Sequence, residues 1–316
     1  MIEHSVQAGC EGYGAGDAVF HVKHSLHSPD FPQKQLKVSL GVVIIIENWV
    51  FVPIRPIIFL PGVAFMAKII AVVNQKGGVG KTTSCVNLAA ALSARGKRVL
   101  LCDFDPQANA TSGLGVDKNA APNVYDLLVR PIEPKKAVVT TPYCDVLPSN
   151  KGLAGAGMEL ITMENREYRL KQALDTLSDN YDFIFIDCPP SLELLTLNAL
   201  CAADSVLVPV QCEYYALEGL SDLMTIIRRM KQGLNPNLSL EGVLLTMYDG
   251  RTNLSIQVAE EVKRVFPGKV YATVIPRNVR LSEAPSHGKP ITAYDPLSRG
   301  AEAYSALAEE FAAKNR

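Results

Sequence analysis

The chain predicts a mostly parallel, twisted sheet of the α/β class with helices on both faces. Three observations carry this. Apolar, β-branched runs alternate with helix-like segments from Lys68 to the C terminus, the pattern of successive strand–helix units. Those runs do not switch between apolar and polar residues, as expected for strands buried on both faces. A Gly-rich turn, Lys76–Thr83, separates the first run from the first helical segment.

In order, the expected strands are Lys68–Val73, Arg98–Cys102, Phe183–Ile186, Val206–Pro209, Gly242–Met247 and Val270–Ile275. The expected helices are Thr83–Ala94, Arg166–Leu177, Leu192–Ala202, Leu217–Met230, Ile256–Val265 and Ala301–Ala313. Pro122–Pro148 is less regular and is expected to carry a variable partner surface. No repeat, low-complexity tract or linker follows Met66.

Composition narrows the function. Hydrophobic residues make up 48% and charged residues 20% of 316 positions, enough apolar material for a core and too little charge for disorder. Net charge is −1, so any nucleic-acid surface must be a local patch. Seven scattered cysteines with no Cys-x-x-Cys pair suit reduced cytosolic thiols and give no support for a zinc or iron–sulfur site.

Lys76-Gly77-Gly78-Val79-Gly80-Lys81-Thr82-Thr83 sits in the strand–turn–helix context of a phosphate-binding loop. Glycines let backbone N–H groups converge on phosphate oxygens, and the helix N-terminus adds positive potential. Lys81 is placed to reach the β- and γ-phosphates, and the Thr82 hydroxyl to reach Mg²⁺. With Asn74 and Gln75 ahead of it, the run resembles the deviant Walker A loop of the ParA/MinD ATPases, a branch of the P-loop NTPases. The resemblance covers roughly residues 66–316 and implies an ATPase using ATP and Mg²⁺. It also implies that Lys76, the extra lysine ahead of the glycines, crosses a homodimer interface formed in the ATP state and touches the partner's nucleotide.

Three further segments extend the likeness. Val99–Gln107 ends a strand with Asp103 and Asp105, which alternation sends to one side, toward the phosphate loop. The family assigns the attacking water to the second aspartate, here Asp105. Asp103 is either an Mg²⁺-shell or a structural residue. Phe183–Pro190 matches a Walker B strand, in which Asp187 holds Mg²⁺, partly through water. Ile275–Gly288 resembles the segment that walls the adenine and forms part of the dimer face, with Pro276 and Asn278 as adenine contacts. His287 is expected to be structural, because phosphoryl transfer needs positioning and charge rather than a histidine base.

Within this superfamily, nitrogenase iron protein and scaffold ATPases need cluster cysteines that are absent here. MinD-type ATPases end in a basic amphipathic helix that lies on the membrane. The tail Ala301–Lys314 is acidic and alanine-rich, which reads as a packing helix and predicts no stable membrane association. The likeness therefore points to the chromosomal ParA/Soj type, cytoplasmic and nucleoid-associated. Such proteins bind double-stranded DNA without sequence preference as ATP dimers and meet a ParB-like centromere-binding partner. The matching DNA-contact arginines are Arg251 and Arg280, with Arg228, Arg229, Lys231, Lys263 and Arg264 able to widen the patch. A MinD-like, membrane-cycling positioning ATPase is the alternative.

Residues 1–65 differ in composition, holding four of the five histidines and the sole tryptophan, Trp49. The apolar run Val38–Phe65 is broken by Glu47, Arg55 and three prolines, so no clean span of about 20 residues remains. Met66-Ala67-Lys68 looks like a natural start, and residues 1–65 are expected to be a non-native or disordered extension read from upstream DNA. Phe20-His21-Val22-Lys23 can be written TTT CAC GTG AAA, its own reverse complement, resembling the site that ParB proteins bind.

Overall fold

The computed structural model describes residues 8–10, 20–22, 66–191, 193–214 and 216–315. The chain divides into two units, Met1–Pro61 and Gly62–Arg316. In the first, the described residues are one antiparallel pair, β1 (Ala8–Cys10) with β2 (Phe20–Val22). The expectation of a non-native extension over residues 1–65 otherwise lies outside the described residues.

The second unit is built on seven strands: β3 (Lys68–Val72), β4 (Val99–Asp103), β5 (Val139–Thr140), β6 (Asp145–Leu147), β7 (Phe183–Asp187), β8 (Ser205–Gln211) and β9 (Ser239–Thr246). Their order across the sheet is β5-β6-β4-β7-β3-β8-β9, and only the edge pair β5–β6 is antiparallel. Successive β3 side chains enter opposite cores, as the two-residue period requires. Ile69 and Ala71 join one apolar cluster, Ile70 and Val72 the other.

Three helices cover the Ile70 face: α1 (Lys81–Ser93), α2 (Asn109–Gly113) and α11 (Arg299–Lys314). The opposite face carries α3 (Val124–Val129), α4 (Leu153–Leu160), α5 (Arg169–Asp175), α6 (Leu194–Ala202), α7 (Ala216–Gln232) and α8 (Asn253–Val265). Two short helices, α9 (Val279–Glu283) and α10 (Ile291–Tyr294), lead into α11. This is the doubly covered parallel sheet that the sequence predicts. On α11, Ala303, Tyr304, Leu307, Ala308 and Phe311 are buried, so the tail is a packing helix. Among the described residues no helix is long and apolar enough to cross a membrane.

The expectations fail in two places. Pro122–Pro148 holds the capped helix α3 and the two strands β5 and β6, which are too short to show a periodic pattern. Val270–Ile275 runs beside β9 but bridges it only at Val270 and, just beyond, at Pro276. The interruption has a cause: the amides of Ala272 and Thr273 donate to the Glu310 carboxylate on α11, at 2.8 and 2.9 Å. Gly242 admits this segment, since a Cβ there would lie 2.6 Å from the Tyr271 ring.

Register puts the chemistry at one edge. Val72 and Asp103 both pair with Asp187, so three central strands end level. The phosphate loop leaves from the middle one, at the carboxyl ends of the strands where α/β sheets bind ligands.

Candidate nucleotide-binding site

Gly78 and Gly80 have φ of 75° and 90°, a region that a side chain would strain. Gly80 thereby caps α1 and starts the helix at Lys81. The loop is braced from both sides: the Asn74 side chain donates to Pro209 O (2.8 Å) and accepts from Lys76 N (3.0 Å), and Thr246 Oγ1 donates to Val79 O at 2.8 Å. Lys81 is buried, and its ammonium bends back to donate to Lys76 O at 3.1 Å. Burial lowers its pKa, while Asp187 and Asp105 pull the other way.

Asp187 ends β7 in full burial. Its Oδ1 accepts from the Cys85 thiol at 3.7 Å, and its Oδ2 has no hydrogen-bond partner. Burial and then the Asp103 charge hold the carboxyl well above the usual range, while the adjoining Thr82 hydroxyl works in the opposite sense. A buried, unpaired carboxylate oxygen is expensive unless something fills its shell. Beside the Thr82 hydroxyl, that oxygen fits Mg²⁺, a hard cation that takes oxygen ligands.

Asp103 is occupied. Its Oδ2 accepts from the Thr111 amide and hydroxyl, both at 2.7 Å, and its Oδ1 from Asp105 N at 3.2 Å. It therefore ties α2 to β4, and burial pushes its pKa up to about 6. Asp105 lies beyond the strand end, placed by a turn rather than by strand alternation. Its Oδ1 accepts from Gln107 N at 2.9 Å, and Ser149 Oγ donates to its backbone oxygen. Both carboxylates act on Asp187, so the acidic group predicted from sequence is assembled.

Beside the loop lies a cavity of about 560 Å³, lined by Thr82, Thr83, Asn87, Pro276, Asn278 and Lys289 among others. Asn278 Oδ1 caps α9 by accepting from Arg280 N at 2.8 Å. His287 stacks on Tyr294 with centroids 4.8 Å apart, a packing role. Lys76 stands apart from this assembly: its exposed side chain donates to Glu213 Oε2 at 2.7 Å. Arg251 is 89% exposed and grips Asp249 with two hydrogen bonds, while Arg280 pairs with Glu283 and Asp295.

Sequence reasoning missed several parts of the site. Thr246 and Glu213 reach the loop from distant strands, and Asn87 joins Thr83 O to Ile291 N, closing α1 against α10. Only Asn87, one turn after Thr83, had a local signal. The others arrive by tertiary contact.

A glycine-braced phosphate loop, a buried lysine at its mouth and an acidic pocket at the sheet edge define a P-loop nucleotide hydrolase with an additional lysine ahead of the glycines. Residues 67–240 match the AAA domain family. The sporulation initiation inhibitor protein Soj of Bacillus subtilis is 62% identical over 251 residues, covering 78% of this chain and 99% of that protein. The chromosome partitioning protein ParA of Myxococcus xanthus is 54% identical over 252 residues, 79% of this chain and 89% of that one. Among solved structures, a Mycobacterium smegmatis chain described as cobyrinic acid a,c-diamide synthase, with ADP and magnesium bound, is 41% identical. It covers 77% of this chain and 93% of that one at a TM-score of 0.68. The chain belongs to the ParA/Soj family of chromosome-partitioning ATPases.

Proposed function

We propose that this chain is an ATP-dependent DNA-segregation switch, with residues 66–316 as its working domain. The observation that carries this is the contrast between two lysines of one loop. Lys81 is buried at its own phosphate site, whereas Lys76 is exposed and held away by Glu213. A lysine outside its own site is suited to bridge to the nucleotide of a second subunit, which makes dimerisation depend on ATP.

In each subunit the amides of Gly77, Gly78, Val79 and Gly80, with Lys81, Thr82 and Thr83, bind the phosphates. Pro276 and Asn278 hold the adenine. Thr82 and Asp187 would hold Mg²⁺, which supplies charge neutralisation on the β- and γ-oxygens when bound. Asp103 keeps the Asp105 turn in place, and Asp105 orients the attacking water, for which its Oδ2 is free among the described residues. Chemistry of this kind relies on positioning and electrostatics, with little covalent work for the protein.

The ATP dimer binds double-stranded DNA through Arg251 and Arg280. A ParB-like partner stimulates hydrolysis, the dimer dissolves, and DNA is released in the nucleoid. The ion pairs of both arginines are on exposed side chains and contribute little, so phosphates can displace them. A titration of duplex DNA with ATP, ADP and no nucleotide tests the reading. Tight binding is expected with ATP only, and Arg251→Glu should weaken it equally for all sequences, because phosphate contacts carry no base information. DNA affinity indifferent to nucleotide and to both arginines, together with ATP-dependent binding to anionic liposomes, would transfer the assignment to a membrane-cycling, MinD-like ATPase.

A further inference from the structure

The segments bearing Arg251 and Arg280 form one unit. Tyr248 N donates to Ile275 O at 3.0 Å, and Arg277 N donates to Tyr248 O at 3.2 Å. Thr252 and Asn278 then cap α8 and α9 through the amides of Ser255 and Arg280. Backbone ladders and caps thus place both arginines, and Arg277 lies between them.

Arg277 is exposed, and its charge acts on Asp249, the carboxylate that Arg251 grips. Its own guanidinium makes no ion pair or hydrogen bond among the described residues. The contrast with its neighbours matters. Arg251 must release Asp249 to meet a phosphate, and Arg280 must release Glu283 and Asp295. Arg277 gives up no partner. Pro276 and Asn278 flank it and line the nucleotide cavity, so nucleotide occupancy and the position of this cation share one stretch of backbone.

Building on the DNA-binding reading above, we propose that Arg277 is a third contact to the DNA backbone, and the one whose cation is already unpaired before DNA arrives. It would neutralise one phosphate and release its condensed counterions, adding affinity without base preference. It would also draw Asp249 away from Arg251, easing that arginine's transfer to a neighbouring phosphate. Because Arg277 borders the cavity too, a nucleotide contact is the rival role for its guanidinium.

Duplex DNA binding with saturating ATP, measured over a salt series, separates these roles in the full chain. The comparison uses wild type, Arg277→Ala, Arg277→Lys and Arg251→Ala, with ATP affinity measured on each. For Arg277→Ala the log–log salt slope should shrink by about 0.9, the loss of one phosphate contact. Arg277→Lys should recover most of that slope, and ATP affinity should match wild type in both. If Arg251→Ala weakens DNA binding while Arg277→Ala does not, this inference fails and the DNA-binding reading survives. A fall in ATP affinity on Arg277→Ala assigns the arginine to the nucleotide and overturns the inference. If both alanine variants bind DNA like wild type, the DNA-binding reading fails first and takes this contact with it.

Discussion

Lys76 Nζ donates to Glu213 Oε2 at 2.7 Å, joining the phosphate loop to the turn after β8 within a single subunit. Gln211 Nε2 also donates to the Glu213 carboxylate, which holds that acceptor in place. The lysine and glutamate side chains are 41% and 48% exposed. An ion pair that open to solvent is worth about 0–1 kcal/mol, so it sets a resting position without locking it.

Lys76→Ala should therefore fold and bind ATP but lose ATP-driven dimerisation, read by sedimentation or light scattering. Glu213→Gln should shift the dimer equilibrium by no more than about fivefold, the size of one exposed pair. An ATP dimer of normal affinity in Lys76→Ala would remove the bridging role.

Lys81→Ala and Asp105→Ala should part company. The first removes the cation that meets the β- and γ-phosphates, so productive ATP binding is lost. The second leaves the phosphate loop intact and should bind ATP while hydrolysing it poorly, accumulating a DNA-bound dimer. Wild-type turnover in Asp105→Ala would return the water-orienting role to another residue.

Stability without nucleotide should fall as pH rises between the ordinary carboxylate range and about 6. Burial raises Asp103 to about 6 and holds Asp187 higher still. In that window the folded chain retains protons that the unfolded chain has released, so unfolding becomes easier with rising pH. Mg²⁺ with nucleotide favours the ionised carboxylates and should flatten the fall. Urea unfolding at stepped pH checks this, and Asp103→Asn should show a shallower decline than wild type. Identical slopes in the two proteins would contradict the assignment.

Gly242→Ala should destabilise the protein by roughly 1–3 kcal/mol, the usual cost of overpacking a tight site. The added methyl would meet the Tyr271 ring at 2.6 Å and Lys269 O at 2.9 Å. Because that contact seats the segment leading to Pro276 and Asn278, nucleotide affinity should weaken along with the melting temperature. A neutral substitution would mean that the 270–275 segment yields easily.

A chain beginning at Met66 should keep its fold, ATP turnover and DNA binding. The structural unit that holds the site spans Gly62–Arg316, and the alignment to Soj takes in 251 residues. Loss of cooperative unfolding on removing residues 1–65 would assign that segment a structural role.

The fold class and the heart of the site were legible in the sequence because they rest on local patterns. Strand-like apolar runs, glycines where φ turns positive at Gly78 and Gly80, and carboxylates closing buried strands at Asp103 and Asp187 each act over a few residues. Tertiary structure decided the rest. Whether Val270–Ile275 became a full strand depended on Glu310, some 37 residues away, capturing two of its amides. Asp103 was committed to Thr111 and Asp187 left with an unpaired oxygen by the level ends of three strands that are far apart in sequence. Glu213 came to hold Lys76 through the placement of β8 beside β3. Periodicity and motif spacing report what a segment prefers, but the partner of a polar group is chosen by packing, and packing joins residues that no local pattern connects.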